Sequence, residues 1–215
     1  MMASSSASIL GKRKSIAIAP YVPPRKPRVL LAACGCVAAN KFAVLCHCFS
    51  QWAEVYTVLT KSSQKFISIT DLPQGVPVYT DEFELLSWRK LGDPVHHIDI
   101  ANWADMMVIA PLSANTLSKI VGGFSDNLLT CIVRAWDYSK PLFVATAMNT
   151  LMFRNPFTER HFHAILDLGI NLIQPPAGRR NTGEMLEPEM ISYTVKCFLE
   201  AWMQKQQQGA NLQSF

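Results

Sequence analysis

Three short stretches decide what this chain can become. RVLLAAC (28–34), MMVIAP (106–111) and PLFVATA (141–147) are apolar nearly from end to end. A strand with that pattern is buried on both faces, which calls for a parallel sheet covered by helices. The intervening segments comply. VAANKFAVLCHCFSQWA carries Phe42, Leu45, Cys46 and Phe49 on one helical face. EVYTVLT, a polar KSSQKF helix start and VPVYT follow, separated by Pro and Gly breaks. DPVHHIDIANWAD reads as extended, SANTLSKIVGG and DNLLTCIVRAWD as helices, and NLIQP as a strand after a helix opening at Pro156. EPEMISYTVKCFLEAWMQKQQQ closes the chain as a helix expected to fray into a Gln-rich end. Strands alternating with helices in this way imply βαβ units in a mainly parallel sheet with helices on both faces.

A chain of 215 residues suffices for one domain with a sizeable core, and 49% hydrophobic against 17% charged residues describes a packed globule. The formal charge of +4 is unevenly placed. No acid precedes Glu54, and six basic residues, Lys12, Arg13, Lys14, Arg25, Lys26 and Arg28, lie in the first 28 positions; without those six, 14 basic residues face 16 acidic ones, a net −2. The basicity belongs to the tail, which argues against a nucleic-acid surface on the body. The tail is Ser-, Ala- and Pro-rich, the composition of a disordered extension or of a transit peptide. Without a secretory signal or an apolar run of membrane-spanning length, the expected location is cytoplasmic. The six cysteines (Cys34, Cys36, Cys46, Cys48, Cys131, Cys197) fall in apolar patterns, so most are expected to be buried thiols. The C-x-C pairs lack partner ligands at zinc-site spacing, so no metal is expected.

In open α/β sheets ligands bind beyond the carboxyl ends of the strands. That rule selects CGCVAAN, TKSS, PLSANT and TAMNT. Gly35 sits between a strand and a helix, where unpaired N–H groups favour a phosphate or where a tight turn is simply needed. Thr60, Ser62 and Ser63 suit a phosphate or a helix cap. Ser113, Asn115 and Thr116 offer three polar side chains beyond the most apolar strand, more than one cap needs. Together the three loops favour a bound mononucleotide. His96 or His97 can serve as a general base, since imidazole titrates near neutrality. Asn149 is either a helix cap or a ligand for a carboxylate, flanked by the adaptable Met148 and Met152.

APLSANTLSKIVGGFSDNLLTCIVRAWD (110–137), followed by AMNTLMF (147–153), resembles the flavin-dependent cysteine decarboxylase family, and within it the plant-type branch that acts on 4′-phosphopantothenoylcysteine. The resemblance runs from about Pro27 into the terminal helix. It divides the chain into a basic tail (1–26), a flavoprotein decarboxylase domain (27–208) and a frayed end (209–215). It implies a Rossmann-like, flavodoxin-related subunit that binds FMN and forms trimers with active sites between subunits. Carried over by position, the FMN contacts fall on Cys36, Val37, Ala38, Thr60, Ser62, Ser113, Ala114, Asn115, Thr116 and Ala147. The catalytic histidine falls on His97 and the substrate carboxylate on Asn149, with Met152 beside it. The implied chemistry is oxidation of the cysteinyl thiol to a thioaldehyde, loss of CO2 and return of the electrons to give 4′-phosphopantetheine, in coenzyme A biosynthesis.

The sequence departs from the family at Cys36 (usually serine), Thr146 (usually proline) and Phe153 (usually tryptophan). The larger departure is PPAGRRNTGEMLEP (175–188), which stands where the family carries a longer flap with a cysteine that protonates the ene-thiol, and which contains no cysteine. Three readings follow: a decarboxylase halted before the final step and completed in a mixed trimer by a full-length paralogue, a non-catalytic regulatory subunit of the protein-phosphatase type, or a splice variant of a complete enzyme. The helix DNLLTCIVRAWD carries Leu128, Leu129, Ile132, Val133 and Trp136 over much of its circumference, and the excess is expected to face a neighbouring subunit.

Overall fold

The computed structural model describes residues 25–175 and 183–212, with side chains to residue 202. Most of the tail, residues 176–182 of the shortened flap and the last three residues lie outside that range. Among the described residues, six parallel strands form one sheet: β1 (Arg28–Ala33), β2 (Glu54–Leu59), β3 (Val78–Thr80), β4 (Met106–Leu112), β5 (Leu142–Thr146) and β6 (Asn171–Ile173). Their order is β3-β2-β1-β4-β5-β6. This is the Rossmann order, and its direction reverses between β1 and β4. The three apolar stretches are β1, β4 and β5, the interior of the sheet. The β4–β5 register shifts between Ile109 and Leu112, around Pro111, which has no N–H to give to a neighbouring strand.

Eight α-helices among the described residues cover it: α1 (Phe42–Ser50), α2 (Asp81–Ser87), α3 (His96–Trp103), α4 (Ala114–Val121), α5 (Leu128–Arg134), α6 (Thr150–Phe153), α7 (Pro156–Asp167) and α8 (Pro188–Leu212). On one face, Phe42, Leu45, Cys46 and Phe49 of α1 pack with Ile191, Val195 and Leu199 of α8. On the other, α3, α4, α5 and α7 contribute Ile100, Leu117, Ile132 and Ile165. The expected two-sided α/β fold is therefore present. Among the described residues, no helix is long and apolar enough to cross a membrane.

Several expectations are corrected. KSSQKF gives only a three-residue 3-10 turn, Ser63–Lys65. The segment around the histidine pair is the start of α3, not an extended run. Two cysteines (34 and 46) are buried, three are half-buried and Cys197 is exposed; all six are free thiols. Leu128, Leu129, Ile132, Val133 and Trp136 are all at most 4% exposed in the single chain, because α5 lies between α3, α4 and β2. None of them is left for a neighbour. Among the exposed apolar side chains, Leu85, Leu86, Trp88, Leu91, Val95 and Ile98 group on α2, its link to α3 and the first turn of α3, while others, such as Val37, Phe124, Leu151 and Phe157, are spread elsewhere.

Candidate functional site

Three loops converge at the carboxyl ends of β1, β2 and β4. Gly35 lies so close to Ser62 that a Cβ there would overlap the serine side chain, so the residue type is dictated by the approach of the first two loops. The Thr60 hydroxyl donates to the Ala33 carbonyl (3.2 Å) and lies 3.3 Å from Ser62 Oγ. Ser63 is buried, its hydroxyl donating to the Thr60 carbonyl at 2.8 Å, whereas Ser62 is exposed. Ser113 caps α4, accepting from the Thr116 N–H and donating to Thr116 Oγ1, both at 3.2 Å. The two hydroxyls also face the buried Cys34 thiol, which burial pushes up to about 11 against those hydrogen bonds. Ala114 is half-buried and Asn115 exposed. One cap thus engages two of the three polar side chains of that loop.

Cys36 opens a 3-10 turn, Val37–Lys41, with an extended backbone and no side-chain cap. The N–H groups at the head of such a turn have no intrahelical partner. Burial pushes the Cys36 thiol up, opposed by the N–H groups of Ala38 and Ala39, the latter of which also donates to the Cys36 carbonyl at 3.0 Å. A cleft of about 690 Å³ opens here. It is lined by Cys36, Val37 and Ala38 from the first loop and by Ala147, Met148 and Asn149 from the loop after β5, with Lys41, Phe66, Gly183, Glu184, Met185 and Glu187 among the residues completing it.

Asn149 is a cap: its Oδ1 accepts from the Leu151 N–H at 2.9 Å at the start of α6. That bond uses only the oxygen of a residue that also lines the cleft. Met152 is half exposed one turn further on and does not line the cleft. The wall at 183–187 falls in the stretch that the resemblance equates with the flap, although none of its residues was among the expected site residues. The Met148 N–H donates to the Gly183 carbonyl (2.9 Å), Met185 is buried, and Lys41 Nζ reaches Glu187 at 2.8 and 2.9 Å. The cleft lining therefore carries one lysine, paired with Glu187, and a second carboxylate, Glu184.

His97 is elsewhere. Its Nδ1 lies 2.6 Å from Glu84 Oε1 of α2. His96 packs against the Phe83 ring (centroids 4.8 Å apart), so the adjacent histidines have different surroundings. Since α2 begins directly at the carboxyl end of β3, His97 belongs to that edge of the sheet. Four strand spacings of about 4.8 Å separate β3 from β5, on the order of 19 Å. Within one chain, the structure does not bring His97 and Asn149 together.

A family model described as Flavoprotein matches residues 18–200. A probable phosphopantothenoylcysteine decarboxylase of Arabidopsis thaliana is 60% identical over 192 residues, covering 87% of this chain and 96% of its own. The chain belongs to the flavoprotein family, among its plant phosphopantothenoylcysteine decarboxylases. Two solved structures carry the family likeness further. One is described as the FMN-binding protein AtHal3, 62% identical at a TM-score of 0.79, covering 82% of this chain and 98% of that one. The other is a PPC decarboxylase with cysteine mutated to serine, complexed with pantothenoylaminoethenethiol, also 62% identical, with a TM-score of 0.78 over 82% of this chain and 100% of that one.

Proposed function

We propose that this chain binds FMN and decarboxylates 4′-phosphopantothenoylcysteine, a step of coenzyme A biosynthesis. The carrying observation is that the Cys36–Ala38 turn and the Ala147–Asn149 segment, far apart in sequence, line one cleft. Its volume falls in the usual range for cofactor pockets, and the first N–H groups of the turn that lines it, at Val37 and Ala38, are of the kind that take a phosphate. When bound, FMN supplies the two-electron acceptor that lets a thiol become a thioaldehyde and later takes or returns those electrons. The chain's own residues do the rest. The backbone N–H groups of Val37 and Ala38 hold the phosphate, with Thr60, Ser62 and Ser113 around it. The Asn149 NH2 group donates to the substrate carboxylate and fixes its orientation until CO2 leaves, while His97 handles the thiol proton.

The separation of His97 from Asn149 and the exposed apolar patch beside His97 support a site completed between chains, in a homotrimer or with a full-length paralogue. The patch on α2 and its link to α3 is then the contact. Without a cysteine in 174–188, the chain alone is expected to stop at the ene-thiol. It is in keeping with this that the cysteine-to-serine relative was solved with an aminoethenethiol. A purely regulatory role draws no support from these relatives, whose names are those of decarboxylases and of an FMN-binding protein. The test is reconstitution with FMN followed by assay of CO2 release. Yellow protein that releases CO2 supports the proposal; failure to bind FMN at saturating concentration overturns it.

A further inference from the structure

We propose that Glu84 is the positioning residue for His97, holding the imidazole with its proton on Nδ1 so that Nε2 is the working nitrogen; this rests on the role given above to His97. Two donors of the same residue converge on one carboxylate oxygen. His97 Nδ1 lies 2.6 Å from Glu84 Oε1, and the His97 backbone N–H donates to that oxygen at 3.2 Å. A carboxylate only accepts, so the short contact places the proton on Nδ1. The backbone bond adds direction, because it ties the start of α3 to the oxygen that orients the ring. No side chain of α3 itself caps this start, since Val95 occupies the N-cap position.

Glu84 is itself held. Thr80 caps α2 by accepting from the Phe83 N–H at 3.2 Å. One turn before Glu84, Asp81 accepts from the Leu128 N–H at 2.8 Å, at the start of α5. Residues three apart share a helix face, so α2 presents Asp81 to α5 and Glu84 to α3 from the same side. Leu85 and Leu86 are left exposed. The His97–Glu84 pair is about a quarter exposed on each partner and borders that apolar patch, so a neighbouring subunit seated there would exclude water from it. A histidine whose second nitrogen is bonded to a carboxylate has both its tautomer and its ring orientation fixed.

The test uses the FMN-loaded full chain with histidine-selective 15N NMR to read the tautomer, alongside CO2 release from 4′-phosphopantothenoylcysteine. Wild type is expected to show His97 protonated at Nδ1. Glu84→Gln, whose amide oxygen can accept both bonds, should keep that tautomer and most of the rate. Glu84→Ala should lose the tautomer preference and release CO2 roughly ten- to hundred-fold more slowly, while retaining its flavin spectrum. Glu84→Ala with an unchanged tautomer, or with a changed tautomer and an unchanged rate, overturns the proposal. So does a slow Glu84→Ala that has lost its flavin spectrum while Glu84→Gln is equally slow with its tautomer intact. His97→Asn separates the two levels: if it releases CO2 normally, the role of His97 fails and that of Glu84 fails with it. If it is inactive while Glu84→Ala is unaffected, only the role of Glu84 fails.

Discussion

Replacing Gly183 by alanine probes whether the segment following residues 176–182 is a fixed wall of the cleft. Gly183 has φ +76, a conformation that costs a residue with a Cβ about 1–2 kcal/mol. An added Cβ would also overlap the Met148 carbonyl oxygen and come within 3.3 Å of Phe153 Cβ. The obstacle is backbone, so either segment 183–187 retreats or the Met148–Asn149 strand end moves. Both outcomes break the bond in which the Met148 N–H donates to Gly183, worth about 1 kcal/mol. The expected cost is about 2–3 kcal/mol in all. Gly75 is the internal control. It has φ +83 and nothing within 4 Å of the place an added Cβ would occupy, which leaves the conformational cost of about 1–2 kcal/mol alone. Urea unfolding of both variants measures the difference, and FMN titration measures the cleft. Gly183→Ala should be the less stable and bind FMN about tenfold more weakly, a change of roughly 1.4 kcal/mol, while Gly75→Ala binds normally. Equal stabilities with unchanged FMN affinity in both would refute the wall.

Asn149→Asp separates the two roles of that side chain. Aspartate caps as well as asparagine, so stability should stay within about 0.5 kcal/mol, but a second carboxylate facing the substrate's should abolish CO2 release; retained activity would mean that the amide donates to nothing essential. Asp105 gives a pH prediction. Burial pushes its carboxyl up, but the Arg25 side chain and the Arg28 N–H outweigh that and leave it below its ordinary value. A depressed carboxyl stabilises the fold above its unfolded pKa of about 3.9, and the benefit is lost as pH falls through the folded value. Asp105→Asn should therefore lose about 1 kcal/mol near neutrality and flatten the acid limb of urea stability below about pH 4, after discounting for the solvent-exposed Arg25. Leu91→Lys, at a side chain 95% exposed, should shift light scattering toward monomer without changing thermal stability of the isolated chain; an unchanged oligomer would remove that patch from the contact.

Where burial is uniform, the fold was legible. β1, β4 and β5 stand out because a strand covered on both faces is apolar at nearly every position. The helices at 81–87 and 96–103 were not read, for different reasons. Thr80 followed by Asp81, Glu82 and Glu84 is a sound start signal on a seven-residue helix with little apolar periodicity, and α3 begins after Val95 without any side-chain cap. The circumferential apolar character of α5 was visible, but its cause was not: sequence distinguishes a helix covered all round from one stripe, without saying whether the cover is another subunit or the chain's own α3 and α4. At the carboxyl edge of the sheet, two of the marked loops, at Cys36–Ala38 and Ala147–Asn149, line the cleft, whereas Thr60, Ser62 and Ser113–Thr116 are not among its lining residues. Pairings such as Lys41 with Glu187, 146 positions away, and the Gly183–Met148 bond depend on tertiary approach that no local pattern carries.

The most direct measurement is the mass of the product that the purified, FMN-loaded chain makes from 4′-phosphopantothenoylcysteine. The expected product has lost CO2 and two hydrogens, the ene-thiol, with little or no 4′-phosphopantetheine until a subunit with a cysteine-bearing flap is added. Unchanged substrate in the presence of bound FMN would contradict the assignment of a decarboxylase, and full conversion to 4′-phosphopantetheine by this chain alone would contradict the role given to the absent cysteine.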